Sequence, residues 1–315
     1  MMKTTGALAI VALVLATAGC GDSKSSSQQQ IIGFSVYDMK YEFFQMMEKG
    51  TRERAKELGY GYQLHDQKSD ELQMVSGCKS LINQGAAALI VSPIKPDALG
   101  AVVDAAQKAE IPVVINDIGG GGTPYHAIII SDNFGGGKLA GQYVVDKLGV
   151  GNGRNVAILK CEPSAIYAIR RGEGFKALMT SNGYTVVAEL SAHSKTEEGY
   201  AKMKNVLAGT PDLVAVFCEN DPMAVGAAQA VAEAGKTAQV LVIGFNADGV
   251  AIESIRAGTM AATVAQFPEQ MGRISAELTD KLLKKQPLQF DDVSQREIFA
   301  PVKLITQENL SEASK

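Results

Sequence analysis

The chain has no tryptophan, only three histidines and only four cysteines in 315 residues. Without tryptophan, any aromatic stacking has to come from the ten Phe and nine Tyr. His65, His126 and His193 are scattered with no metal-ligand spacing, and the first two fall in strand-like stretches where local hydrogen bonds can satisfy them. No Gly-x-Ser-x-Gly elbow occurs, and no Cys/His arrangement reads as a nucleophile with its base, so neither catalysis nor a cofactor has support. Basic blocks are lacking as well. A net charge of −4 and a pI of about 5.6 argue against a nucleic-acid partner. The apolar run Gly6–Ala16 is too short to span a bilayer as a permanent helix.

That run does have a reading. Lys3 supplies a positive start, and the run ends in Leu15-Ala16-Thr17-Ala18-Gly19-Cys20. Small residues before a cysteine resemble a bacterial lipoprotein lipobox, with Thr17 where that pattern prefers Leu. The expectation is a signal peptide over residues 1–19 and a lipidated Cys20; the alternative is an ordinary secretory signal that contains a cysteine. Residues 20–30, with Gly21–Gln30 reading GDSKSSSQQQ, then form a flexible polar tether. The chain is thus expected in the periplasm or on the outer face of the cytoplasmic membrane, touching the bilayer only through its anchor.

Over the whole chain, 46% hydrophobic and 20% charged residues suit a soluble globular protein long enough for two domains. A unit recurs: apolar run, polar turn, helical pattern, glycine. Helices are expected to close at Gly59, Gly85, Gly149, Gly183, Gly209, Gly235 and Gly258, since glycine favours the positive φ that follows a helix. IIGFSV, YQLHD, ALIVSP, PVVIND and AIIIS read as strands in the first half; NVAIL, TVVAEL, LVAVFC, VLVIGF and AATVAQ do so in the second. Alternating strands and helices predict βαβ units, and five strands in each half predict two similar doubly wound α/β lobes with parallel sheets. One more strand is expected over Ile298–Ile305, and the stripe Met271, Ile274, Leu278 and Leu282 makes residues 268–285 a core-packed helix.

The stretch 111–143 carries the organisation. Pro112–Ile115 ends in Asn116-Asp117, and Ala127–Ile130 ends in Ser131-Asp132-Asn133. Open α/β sheets bind ligands beyond the carboxyl ends of their strands, so these side chains are candidates for a crevice between lobes, with a hinge crossing here. The alternative is turn chemistry, which Asp and Asn also serve. Gly135-Gly136-Gly137-Lys138-Leu139-Ala140, followed by Glu162, fits the outline of a dinucleotide fingerprint, hence a nicotinamide-dependent dehydrogenase as a remote alternative. Four residues stand between strand and first glycine, where a tight turn is needed. The Gly-Lys-Thr at residues 235–237 closes a helix instead of opening one and is no phosphate loop.

Several segments together carry a family resemblance: Glu42-Phe43-Phe44, Ser131-Asp132-Asn133 with Gly136-Gly137-Lys138, Arg171-Gly172-Glu173-Gly174-Phe175, Asn220-Asp221-Pro222-Met223-Ala224, Gly244-Phe245 and Ala265-Gln266. From about Ile31 to Gln286 the chain resembles the periplasmic sugar-binding proteins of the ribose-binding type, the solute receptors of ABC importers, whose fold is also that of the lac repressor core. The resemblance implies three crossings, near Ser131, Gln266 and Val293. The N-terminal lobe would then comprise 31–131 with 267–293, and the C-terminal lobe 132–266 with 294–310. It implies a ligand set of Asp117, Asn133, Arg171, Asn220 and Gln266, planar groups that each bridge two neighbouring hydroxyls. Phe43, Phe44 and Phe245 would cover the C–H faces of the sugar, with core packing as the alternative for the first two. A helix over Arg171–Met179 would carry Arg171 at its start.

The departures bear on the ligand. Tyr41 stands where the family has a contacting Asn, Ile118 where it has an Arg, Asn246 where it has a carboxylate, and Ser194 or His193 where it has a stacking Phe. A cation and an anion are lost together, so ribose is in question, and a pentose, a hexose or an inositol-like polyol all stay open. The expected function is a substrate-binding lipoprotein that serves an ABC permease as a monomer and is not an enzyme. The alternative is a same-fold receptor for a signalling molecule or nucleoside feeding a chemoreceptor. Cys161 and Cys218 sit at the ends of the first and third strands of the second lobe. In a 2-1-3-4-5 order those strands are neighbours, which would bring the pair towards disulfide geometry, against the alternative of two free buried thiols.

Overall fold

The computed structural model describes residues 1–2, 29–119, 122–163 and 165–313. Cys20, the signal segment and most of the tether lie outside the described residues. The first half lays down β1 (Ile31–Val36), α1 (Glu42–Glu57), β2 (Gly61–Asp66), α2 (Glu71–Asn83), β3 (Ala86–Val91), α3 (Leu99–Lys108), β4 (Val113–Asn116) and β5 (Ala127–Ser131). The second adds α4 (Asn133–Leu148), β6 (Asn155–Lys160), α5 (Ile166–Ser181), β7 (Thr185–Ser191), α6 (Thr196–Gly209), β8 (Ala215–Cys218), α7 (Asp221–Glu233), β9 (Leu241–Asn246), α8 (Gly249–Arg256) and β10 (Ala262–Ala265). The chain then returns through α9 (Pro268–Leu283) and ends in β11 (Glu297–Ala300) and β12 (Lys303–Thr306).

Two six-stranded sheets result, ordered β2-β1-β3-β4-β5-β11 and β7-β6-β8-β9-β10-β12. The first is parallel throughout, and in the second only β12 runs antiparallel, against β10. The 2-1-3-4-5 order therefore holds in both lobes. Inner strands such as β4, β5, β8 and β10 are buried along their whole length, which is why they read as unbroken apolar runs. The edge strand β7 alternates exposed and half-buried residues instead.

Helices flank both sheets, and three pairs cross at reciprocal glycines. In α1 and α9, a Cβ on Gly50 would strike the Glu269 carbonyl and one on Gly272 the Met47 carbonyl. In α6 and α7 the pair is Gly199 against Met223 and Gly226 against Thr196. In α4 and α5 it is Gly137 against Arg171 and Gly174 against Phe134. The glycines of the dinucleotide-like outline thus lie inside α4, where Gly137 admits α5 and Gly136 the Phe245 ring, and do not form a strand-to-helix turn.

The lobes join at Ser131–Asn133, at Gln266–Phe267 and at Pro301–Val302, judged by which sheet each flanking strand enters. The last lies beyond the expected position near Val293, so residues 294–300 belong to the N-terminal lobe. The expected strand Ile298–Ile305 is in fact two. Pro301, with no N–H to give a ladder, separates β11, paired with β5, from β12, paired with β10. Gly209 also departs from expectation: it is the last residue of α6, and unlike the other six predicted helix-closing glycines it has no positive φ.

His65 Nδ1 pairs with Ser35 Oγ at 3.2 Å, and His126 Nδ1 accepts the Val113 N–H at 3.2 Å, so both rings have local partners. Cys78, Cys161 and Cys218 are all free and buried. Register explains the unbridged pair: Cys218 lies opposite Leu159, which leaves Cys161 two residues further on, past the end of β6. Peptide mapping of the exported protein under non-reducing conditions should recover all three as separately alkylated thiols, and a peptide joining 161 to 218 would contradict this register.

Candidate functional site

Between the lobes, at the carboxyl ends of the strands, lies a cavity of about 220 Å³ bordered by Asp117, Asn133, Arg171, Asn220, Asn246 and Gln266. Each is placed by a local feature. Asp117 follows β4 with φ +74° and Asn246 ends β9 with φ +119°, backbone conformations that L-residues enter at a cost and that turn both side chains off their strand lines. Asn133 opens α4 directly behind the cap Asp132. Asn220 caps α7, its Oδ1 accepting the Met223 N–H at 3.3 Å, which leaves its amide group for a ligand. Gln266 lies on the second hinge segment.

Arg171 is the hub. Its Nε donates to Asn133 Oδ1 at 2.8 Å, and its Nη1 donates to the Glu219 carbonyl at 2.8 Å and to Asn246 Oδ1 at 3.3 Å. Gln266 Nε2 donates to the same Asn246 oxygen at 2.8 Å, Ser131 Oγ donates to Gln266 Oε1 at 2.8 Å, and Asn133 Nδ2 donates to the Ser131 carbonyl at 2.9 Å. These bonds close a circuit through two hinge segments, β9 and α5. Such a circuit fixes donors and acceptors before a ligand arrives, which lowers the ordering cost of binding.

Not every expected side chain joins it. Phe245 is fully buried beneath the circuit, its ring 3.9 Å from the Arg171 guanidinium carbon, and supports that cation without facing the cavity. Phe44 stacks on Tyr37 at 4.9 Å and Phe43 meets Phe44 edge-on at 5.3 Å, both in the N-terminal lobe's apolar core. Tyr41 is largely exposed beside them. None of these three borders the cavity, and Ile118 packs on the same core. The residues that the sequence missed are Ile130, Cys161, Ala165, Tyr167 and Ala168. Tyr167 and Ala168 were obscured by the misplaced helix start: α5 begins at Ile166, not at Arg171, so Arg171 lies in its second turn. The spacing from Tyr167 to Arg171, one helical turn, was the available signal.

Burial governs the acids here. It pushes the Asp117 carboxyl up to about 6 against the pull of Arg171. Glu219 rises to about 7 by burial, against the Cys161 N–H that it accepts at 2.7 Å. Asp221 also rises to about 7, through burial and then the neighbouring Asp248. Desolvation likewise lowers Arg171, and the nearby Asp117, Glu219 and Asp221 counter it.

These acids keep their protons in the folded chain at pH values where the unfolded chain has lost them. Their contribution is therefore largest below the ordinary carboxylate range and is lost as pH rises towards 7. Glu219→Gln, which retains an acceptor for Cys161 and carries no charge, should flatten the fall in melting temperature between pH 5 and 8. The gain at pH 8 should be roughly 2–3 kcal/mol. Identical slopes for wild type and variant would remove Glu219 from the account.

Two doubly wound lobes around a polar interlobe cavity define a two-lobed α/β binding-protein fold. The chain belongs to the periplasmic binding protein domain family, which matches residues 32–287. It is 35% identical over 286 residues to the ribose import binding protein of Bacillus subtilis (strain 168), with 90% of each chain covered. Against the xylitol-binding protein of Mycolicibacterium smegmatis it is 30% identical over 292 residues, covering 90% of this chain and 80% of that one. The solved structure of an ABC transporter solute binding protein from Bacillus halodurans C-125 with bound myo-inositol superposes with a TM-score of 0.72 at 27% identity, covering 91% of this chain and 98% of the other. The resemblance to the ribose-binding type is thus borne out.

Proposed function

We propose that this chain is the substrate-binding component of an ABC importer, and that it captures one monosaccharide or polyol, a pentose, hexose or inositol-like ring, in the interlobe cavity. The observation that carries the reading is the ring of planar polar side chains, Asp117 from one lobe and Arg171, Asn220 and Asn246 from the other, around a single cavity. Each such group can serve two adjacent hydroxyls. About 220 Å³ lies below the roughly 300–1,000 Å³ of sites for drug-sized ligands and suits a single sugar ring. The ribose, xylitol and myo-inositol named for the three relatives support the same class. Because ligand groups come from both lobes, a bound sugar favours their closed arrangement. Delivery to the permease is by a monomer tethered through a lipidated Cys20 outside the cytoplasmic membrane, and the chain acts as a binding protein with no catalytic step.

A thermal-shift panel of sugars, polyols, nucleosides and dinucleotides tests the reading, since a ligand that binds only the folded chain raises its melting point. A monosaccharide or polyol should give the largest shift. Shifts from nucleosides or dinucleotides alone would overturn it.

A further inference from the structure

Tyr167 stands one helical turn before Arg171, so the two side chains leave the same face of α5. Among the described residues, its ring is the one aromatic surface bordering the cavity. Its hydroxyl oxygen reaches across to the other lobe and lies against the backbone of Gly119, two residues beyond Asp117. The approach is so close that a Cβ on Gly119 would collide with that oxygen. Arg170 lies over the Tyr167 ring, 5.8 Å from its centroid, and is itself held by both carboxylate oxygens of Glu297 at 2.7 and 2.9 Å. Glu297 belongs to β11, in the opposite lobe, so ring and cation are each tied across the cleft. The sequence position expected to supply a stacking aromatic offers none: Ser194 Oγ donates to Glu162 at 2.6 Å and His193 pairs with Glu198 at 2.6 Å, both off the cavity.

We propose that Tyr167 is the specificity-determining wall of the cavity: its ring takes the C–H face of the ligand, and its tie to Gly119 sets the width at which the cleft closes. This rests on the reading that the cavity takes a monosaccharide or polyol. A sugar ring is apolar along its C–H face and gains from a flat aromatic partner. With Phe245 covered by Arg171 and no tryptophan in the chain, Tyr167 is what the cavity offers. A fixed width also discriminates, because an extra exocyclic group would have to break the tie.

Titration calorimetry of the full chain, Tyr167→Phe and Tyr167→Ala against D-ribose, D-allose, xylitol and myo-inositol tests this, with melting curves of the free proteins as the check on folding. Tyr167→Phe should keep the wild-type ranking and lose about three- to tenfold for each ligand bound, the loss of the hydroxyl that reaches Gly119. Tyr167→Ala should lose about 100-fold for the best ligand and bring the four affinities within about threefold of one another. If wild type binds at least one of the four and Tyr167→Ala keeps its affinity and ranking, the wall assignment fails while the sugar reading stands. Unchanged affinities in Tyr167→Phe overturn the tie to Gly119. Wild type binding none of the four overturns the sugar reading, and this inference with it.

Discussion

Arg171→Ala is expected to weaken sugar binding by at least about 100-fold, the largest loss from any single side chain of the site. Truncation removes the fork that donates to Asn133, to the Glu219 carbonyl and to Asn246, so the circuit opens at its hub. It also leaves Asp117 and Glu219 without their nearest buried cation, which raises both carboxyls further. Arg171→Lys should recover only a small part, because an ammonium cannot reproduce two directed bonds from one plane. Asn220→Ala offers a graded comparison. Its loss should be about tenfold, with the α7 cap weakened by about 1 kcal/mol. Calorimetric titration reads both, and wild-type affinity in Arg171→Ala would remove the arginine from the site.

Gly137→Ala is expected to cost roughly 2–3 kcal/mol of stability, a fall in melting temperature of about 5–10 °C. The added methyl would land on the Arg171 carbonyl and the Phe175 N–H, backbone atoms of α5 that cannot step aside. Moving α5 also displaces Tyr167 and Arg171 together, so affinity should fall about tenfold in the variant that still folds. Gly209→Ala is the internal comparison, since nothing lies within 4 Å of a Cβ there and its φ is not positive. It should leave stability within about 0.5 kcal/mol of wild type. Equal melting temperatures for the two variants would contradict the close helix crossing.

The sheets were legible because buried parallel strands need apolar residues on both faces, and eight such runs stand out between glycines and helical patterns. Asp117 and Asn133 were legible for a related reason, since each follows such a strand at its carboxyl end, whereas Asn220 and Gln266 came only through the family resemblance. The failures have equally local causes. Pro301 was read through, so β11 and β12 merged and the third crossing was drawn too early. The start of α5 carries no capping side chain at Ala165 and opens on Ile166, Tyr167 and Ile169, bulky residues that give no helix-start signal. Tyr167 was lost with it. Phe43 and Phe44 show the reverse difficulty, since two adjacent aromatics near a cleft carry no sign in sequence of which way they face. In the fold Phe44 stacks on Tyr37 in the core, and Phe43 is half-buried against it, edge-on to Phe44.

If one small ligand is held by both lobes at once, both lobes gain protection when it binds. Hydrogen exchange of the full chain, free and saturated with the monosaccharide or polyol that gives the largest thermal shift, tests it most directly. Protection should appear together at residues 113–119 of the N-terminal lobe and at 166–172, 218–221 and 245–246 of the C-terminal lobe. Protection confined to one lobe, or to the separate hollow of about 470 Å³ beside Tyr143 and Lys147, would contradict it.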